Sequence, residues 1–139
     1  MTYIDAYGLV ALLANEPAAA QVELLLRSDE CRVAATNLAE AVDVTARVHS
    51  QALDDIRGAI EPLILGNAFA LAVSDEAEVW LAAEIRIAHY SRKDRPLSMA
   101  DCLLLAHAEL AHDAIAPPTA TSQSETGGEF PARRVFHSL

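Results

Sequence analysis

The sequence has few of the residues that mark several large protein classes. Its 139 residues include two cysteines, Cys31 and Cys102, which make neither a disulfide framework nor the spacing of a zinc site. No apolar run reaches transmembrane length, and no basic region followed by a cleavable apolar segment marks a secretory signal. We therefore expect buried thiols in a reducing cytoplasm and no membrane partner.

Basic residues are also scarce. Ten Lys and Arg against 20 Asp and Glu give a net charge of −10, which excludes binding of nucleic acid through a broad basic face. It leaves open an enzyme that holds a few phosphates locally, and it leaves room for a basic protein partner. The apolar content of 53% suits an ordinary globular core, so we predict one domain over residues 1–139.

Short apolar stretches alternate with helical ones along the chain. The predicted strands lie at 2–5, 31–35, 68–73 and 114–116, with a last edge strand at 135–136. The predicted helices lie at 6–15, 18–27, 37–49, 50–66, 75–91 and 98–113. Ser74 is the predicted cap of the fifth helix. Strands that are joined by helices rather than tight turns indicate an α/β domain with a parallel sheet.

Three acids follow a predicted strand or begin a predicted helix. Asp5 comes directly after the first strand, Glu40 stands three residues after Asn37, and Asp101 stands three residues after Ser98. The last two spacings predict capping boxes with Asn37 and Ser98 as N-caps, and Asp5 also suits an N-cap. The same positions are where open parallel sheets bind ligands.

Carboxylates that converge at one edge of a sheet repel one another unless a cation is present. Hard oxygen ligands suit Mg²⁺ or Mn²⁺ rather than zinc, and no cluster of His and Cys competes for that role. The sequence therefore predicts a divalent cation held by Asp5, Glu40 and Asp101. The alternative, that these acids serve only as helix caps, stays open.

Three blocks of sequence carry a family resemblance. They are YIDAYGLVALL at 3–13 with Glu16-Pro17 after it, NLAEA at 37–41, and LSMAD at 97–101, which runs into LAHA at 105–108. In this order and spacing the chain resembles PIN domains, and specifically the VapC-type toxins of bacterial toxin–antitoxin pairs.

The resemblance implies a fold and an activity. The fold is a three-layer α/β/α sandwich with a central, mainly parallel sheet, and the activity is that of an endoribonuclease dependent on Mg²⁺ or Mn²⁺. Asp5, Glu40 and Asp101 match the metal-binding acids of the family. The implied partners are an RNA substrate, a cognate antitoxin whose C-terminal segment covers the site, and a second copy of the chain in a homodimer.

The chain departs from the family at two positions. Gln123 stands where a fourth acid is usual, and Glu125, two residues further on, is a possible substitute. Tyr7 stands where many relatives carry a small hydroxyl residue. An alternative function therefore stays open, in which a catalytically weakened domain serves as a binding module for a basic, antitoxin-like partner.

The remaining candidates lie around the fifth helix. Arg92, Lys93 and Arg95 stand just before the segment of Asp101 and are candidates for holding RNA phosphates, with a solvated loop as the alternative. Trp80 and Tyr90 are predicted to be packing residues, because two aromatic side chains ten residues apart are readily explained by a core.

Overall fold

A computed structural model describes residues 1–116 of the chain, and in that part four strands alternate with six helices. In chain order the elements are β1 (Thr2–Tyr3), α1 (Ala6–Leu13), α2 (Ala19–Ser28), β2 (Cys31–Ala34), α3 (Ala35–Val48), α4 (Leu53–Leu65), β3 (Phe69–Ala72), α5 (Glu76–His89), α6 (Met99–Ala111) and β4 (Ala114–Ile115). The predicted order of elements is confirmed. The strand predicted at 135–136 lies outside the described residues.

The strands form one sheet in the order β3-β2-β1-β4, and every pair is parallel. In the register, Thr2 of β1 lies opposite Cys31 on one side and opposite Ala114 on the other. Each parallel pair needs a crossover, and the helices supply it. The mainly parallel α/β fold predicted from the sequence is therefore confirmed.

The side chains of β2 alternate between the two faces of the sheet, as a strand requires. Cys31 and Val33 pack into the cluster formed with residues of α1 to α4. Ala34 packs with Tyr3 of β1 and with Leu104 and Ala108 of α6. Four helices therefore cover one face, and α6, packed against α5, covers the other, which makes three layers.

Two expectations from the scarce residues can be checked in the fold. Cys31 and Cys102 are buried free thiols, as predicted. Burial raises the pKa of both thiols, so they stay protonated at neutral pH. Within residues 1–116, no helix has both the length and the apolar character needed to cross a bilayer.

Two predicted helix caps are wrong. Helix α3 begins at Ala35 with Ala34 as its N-cap, so Asn37 lies inside the first turn instead of capping it. The reason is that β2 runs into α3 without an intervening turn. Before α5 the cap is Asp75, which forms a capping box with Glu78, whereas Ser74 places its hydroxyl 3.0 Å from Nε2 of His107.

Helices α1, α3 and α6 begin at one edge of the sheet. Because the strands are parallel, their carboxyl ends meet there, and α1 and α3 start after β1 and β2. Helix α5 packs antiparallel to α6, with Glu78 beside His107 and Arg86 bonded to Leu97, so its last turn lies beside the start of α6. Helix α6 ends just before β4 begins, so it runs back toward the opposite edge and also starts at the carboxyl edge. The carboxyl edge collects the N-termini of α1, α3 and α6 and the three predicted acids.

Candidate active site

Asp5 is the N-cap of α1, and its Oδ1 accepts a hydrogen bond of 2.8 Å from the Gly8 amide. A Cβ on Gly8 would stand 2.9 Å from Cγ2 of Ile4 and 3.4 Å from that Oδ1, so glycine lets the first turn close around the carboxylate. Burial raises the pKa of Asp5, the Gly8 amide lowers it, and the charge of Asp101 raises it further.

Asp101 is fixed at the start of α6 by the capping box that the sequence predicts. The Ser98 amide donates to Oδ2 of Asp101 at 2.9 Å, and the Asp101 amide donates to the Ser98 hydroxyl at 3.0 Å. Both residues are partly buried. The cap and a place at the carboxyl edge are thus compatible roles for the same carboxylate.

Glu40 reaches the same region from within α3. It is partly buried, and its pKa is raised first by burial and then by the charges of Asp101, Asp5 and Asp43. The predicted capping box at Glu40 is wrong, since α3 starts five residues before it. Asp5, Glu40 and Asp101 nevertheless lie within electrostatic reach of one another, and we call these three residues the acid site.

Two further residues belong to this region. Tyr7, on the first turn of α1, has its pKa raised by burial and by the charges of Glu40, Asp101 and Asp5, so its phenol stays protonated. Asn37 is 1% exposed, and its amide N and O have no hydrogen-bond partner within the described residues. It precedes Glu40 by three residues, which places both on the same side of α3.

The sequence missed Asn37 as a member of this region because the pattern around it resembles a helix cap. Only the position at which α3 begins distinguishes the two roles, and Ala34 has no capping side chain that would mark that position. Tyr7 was visible in the sequence as a departure from the family, but its place beside all three acids was not.

The donor types of the acid site fit a hard divalent cation. Three carboxylates lie within electrostatic reach of one another, and the pKa values of Asp5 and Glu40 are raised in part by the neighbouring acids. Asn37 adds an amide without a hydrogen-bond partner in residues 1–116, on the side of Glu40. As they are placed, no three His, Cys, Asp or Glu side chains of residues 1–116 form a group that could hold a metal ion. As the side chains lie, a cation could be held there through water or after one of the side chains turns toward it.

The other candidate residues are divided between the described and the undescribed part of the chain. Arg92 and Lys93 are exposed, and Arg95 is partly buried, in a turn that directly precedes α6. Gln123 and Glu125, the candidates for the fourth position, lie outside the described residues.

The fold is similar to that of proteins with solved structures. Seven chains of solved structures match, among them the crystal structure of VapC20 from Mycobacterium tuberculosis, a sarcin–ricin loop cleaving toxin. The TM-score is 0.65 at 15% identity, over 81% of this chain and 85% of that one, which shows a shared fold. No curated protein sequence matches the chain. The family model of the PIN domain matches residues 2–116, and the chain therefore belongs to the PIN domain family.

Proposed function

We propose that the chain is a divalent-metal-dependent endoribonuclease that acts as the toxin of a type II toxin–antitoxin pair. The observation that carries the proposal is the convergence of Asp5, Glu40 and Asp101 at the carboxyl edge of a PIN fold. The likeness to VapC20, a toxin that cleaves the sarcin–ricin loop, supports the same reading. The proposed cofactor is Mg²⁺ or Mn²⁺.

The acid site would hold the cation, directly or through water. When bound, a divalent cation lowers the pKa of water and offsets the charge that develops on a scissile phosphate. Glu40 is the acid without a capping bond to its own helix start, so we assign to it the orientation of the attacking water. The protonated phenol of Tyr7 can donate a hydrogen bond to a phosphate oxygen.

In the hydrolysis itself, the oxygen of water forms a bond to phosphorus while the ester bond to the departing nucleotide oxygen breaks. The proton from water ends on that oxygen. Asp101, held by Ser98, places its carboxyl group at the start of α6 and defines one side of the site. Arg92, Lys93 and Arg95 are the proposed contacts to RNA phosphates.

Several finer features belong to the same proposal. Gln123 can hold a water through its amide oxygen but brings no charge, and Glu125 is the charged substitute for the fourth position. A cognate antitoxin and a homodimer are expected from the resemblance to VapC-type toxins. A single domain over residues 1–139 is expected from length and composition, and a cytoplasmic location from the two cysteines.

The direct test is cleavage of RNA by Asp5→Asn with Mn²⁺ present. We expect the variant to lose cleavage, because an amide cannot supply the charge that the cation requires. Asp43→Asn is the matched control, since Asp43 is an exposed acid of α3 paired with Arg47 at 2.9 Å and should retain wild-type cleavage. Cleavage by Asp5→Asn at the wild-type rate would disprove the metal role.

A second candidate function is a binding module for a basic, antitoxin-like partner. The net charge of −10 and the mutual repulsion within the acid site favour it, because a cationic side chain would relieve that repulsion. Expression of the chain alone in bacteria separates the two functions. Growth arrest that Asp5→Asn abolishes supports the toxin, whereas unaltered growth together with metal-independent binding of a basic peptide supports the module.

A further inference from the structure

The basic residues ahead of α6 are carried by a closed turn, residues 91–95, which we call the basic turn. Ser91 and Arg95 exchange two backbone hydrogen bonds of 2.9 Å, and the Asp94 amide donates to the Ser91 hydroxyl at 3.3 Å. Arg92 and Lys93 are exposed between these closing bonds. In a chain of net charge −10, the basic turn is thus a local, ordered positive site.

Tyr90 stands directly before the basic turn and exposes 47% of its surface. The prediction that Tyr90 and Trp80 are packing residues is wrong, since Trp80 is 65% exposed. The guanidinium carbon of Arg86 lies 4.7 Å from the centroid of the Tyr90 ring, so a cation covers one face of the ring and holds its orientation. The exposed surface of the ring is available to a flat ligand.

A short chain of contacts connects Tyr90 to the acid site. Nε of Arg86 donates to the carbonyl oxygen of Leu97 at 3.2 Å, and Leu97 is buried. The next residue, Ser98, donates its amide to the carboxylate of Asp101. The aromatic ring, the basic turn and the start of α6 are therefore fixed to one another.

We propose that Tyr90 and the basic turn bind unpaired RNA and lead it to the acid site. A base stacks on the exposed part of the Tyr90 ring, and Arg92 and Lys93 contact the flanking phosphates. Aromatic side chains stack on bases that are splayed out of a strand, and the faces of paired bases are hidden, so unpaired RNA fits this arrangement better than a duplex. The inference rests on the proposed function, because it names the form of the substrate.

Binding can be measured separately from cleavage, by fluorescence anisotropy of a labelled ten-nucleotide single-stranded RNA with EDTA present. We expect Tyr90→Leu to weaken binding about fivefold or more, and Tyr90→Phe to bind like wild type because it keeps the ring. For wild type, the logarithm of the association constant should fall linearly with the logarithm of the salt concentration. The double variant Arg92→Ala/Lys93→Ala should reduce the magnitude of that slope by about 1.4, at about 0.7 for each phosphate contact.

The matched control is Arg27→Ala/Arg57→Ala, which removes the same charge from exposed arginines of α2 and α4 and should leave the salt dependence unchanged. Three outcomes overturn the inference: wild-type binding by Tyr90→Leu, an equal loss in the control, or displacement of the RNA by polyglutamate as readily as by unlabelled RNA. The last result would identify an acidic polypeptide site.

The results of the binding and cleavage measurements distinguish a failure of this inference from a failure of the proposed function. Cleavage that needs divalent metal and Asp5, together with RNA binding that is indifferent to Tyr90, overturns only the inference. Binding that depends on Tyr90 without any metal-dependent cleavage overturns only the nuclease.

Discussion

Helices α3 and α6 each bring one acid to the site, but their polar side chains differ in whether they have hydrogen-bond partners. In α6 the Ser98 and Asp101 side chains satisfy each other's backbone amides, and His107 is hydrogen-bonded to Ser74. In α3 the Thr36 hydroxyl, the Asn37 amide and the Thr45 hydroxyl are all buried without a partner in residues 1–116.

The difference indicates separate tasks for the two helices. Unpartnered buried polar groups cost free energy, and they are retained where water, an ion or a ligand completes them. Helix α6 thus fixes Asp101 by bonds within the protein, whereas α3 carries polar groups, Asn37 among them, that no hydrogen bond within residues 1–116 completes. Removal of side chains from each helix should separate function from stability.

The largest expected effect is on cleavage by Glu40→Ala and Asp101→Ala. Each should lower the rate about 100-fold or more, because each removes a carboxylate that would balance the charge of the proposed cation, an interaction worth several kcal/mol. The two variants should differ in their free energy of unfolding. Asp101→Ala loses its capping box and about 1 kcal/mol, whereas Glu40→Ala relieves repulsion and should not destabilise the fold.

Asp43→Ala is the control for both variants, since Asp43 is an exposed acid that pairs with Arg47. It should leave cleavage unchanged. Equal losses of stability in Glu40→Ala and Asp101→Ala, measured by urea unfolding, would contradict the contrast between the helices.

A smaller effect is expected from Asn37→Leu, which exchanges a buried amide for an apolar side chain of similar size. We expect the free energy of unfolding to rise by about 1 kcal/mol, because the unpartnered amide is removed, and cleavage to fall if that amide contacts the ligand. Ser98→Ala on α6 is the opposite case and should cost about 1 kcal/mol. A loss of stability in Asn37→Leu would show that the amide is bonded in solution.

The sequence predicts those features of the site that depend only on residues within one helical turn of each other. The cap at Asp5 and the capping box of Ser98 and Asp101 follow from spacing within one turn, and both are confirmed. The start of α3 has no capping side chain, so the roles of Asn37 and Glu40 within that helix could not be read from spacing.

The fold was similarly predictable where the signal was local. The alternation of apolar and helical stretches determines the parallel sheet and hence the edge where the acids meet. The exposure of Tyr90 and Trp80 depends instead on which face of α5 packs against α6, and that choice is made by Ala82 and Ile85 together with Cys102 and Leu105. Which face of α5 is exposed is determined by the packing of α5 against α6, and the sequence of either helix alone does not reveal it.

The smallest expected effect concerns His107, the second point at which α6 is held. Its ring is 4% exposed, stacks on Tyr3 with centroids 5.9 Å apart, and lies with Nδ1 3.6 Å from Oε1 of Glu78. Burial lowers the pKa of His107 below its ordinary 6.5, although the charges of Glu78 and Asp75 oppose the shift. Because these charges oppose the effect of burial, we expect the contribution of His107 to the pH dependence of stability to be small.

The sign of the pH dependence follows from the lowered pKa. As the pH falls below 6.5, the unfolded chain takes up a proton that folded His107 resists, so the protein should lose stability between 6.5 and the folded pKa. The raised pKa values of Asp5 and Glu40 act in the opposite sense, because the folded acids take up protons before the unfolded ones as the pH falls. His107→Gln separates these contributions, because it leaves both acids in place.

Urea unfolding between about pH 7.5 and about pH 5.5 should show a steeper loss of the free energy of unfolding in wild type than in His107→Gln. Parallel curves would contradict the lowered pKa of His107 in the folded protein.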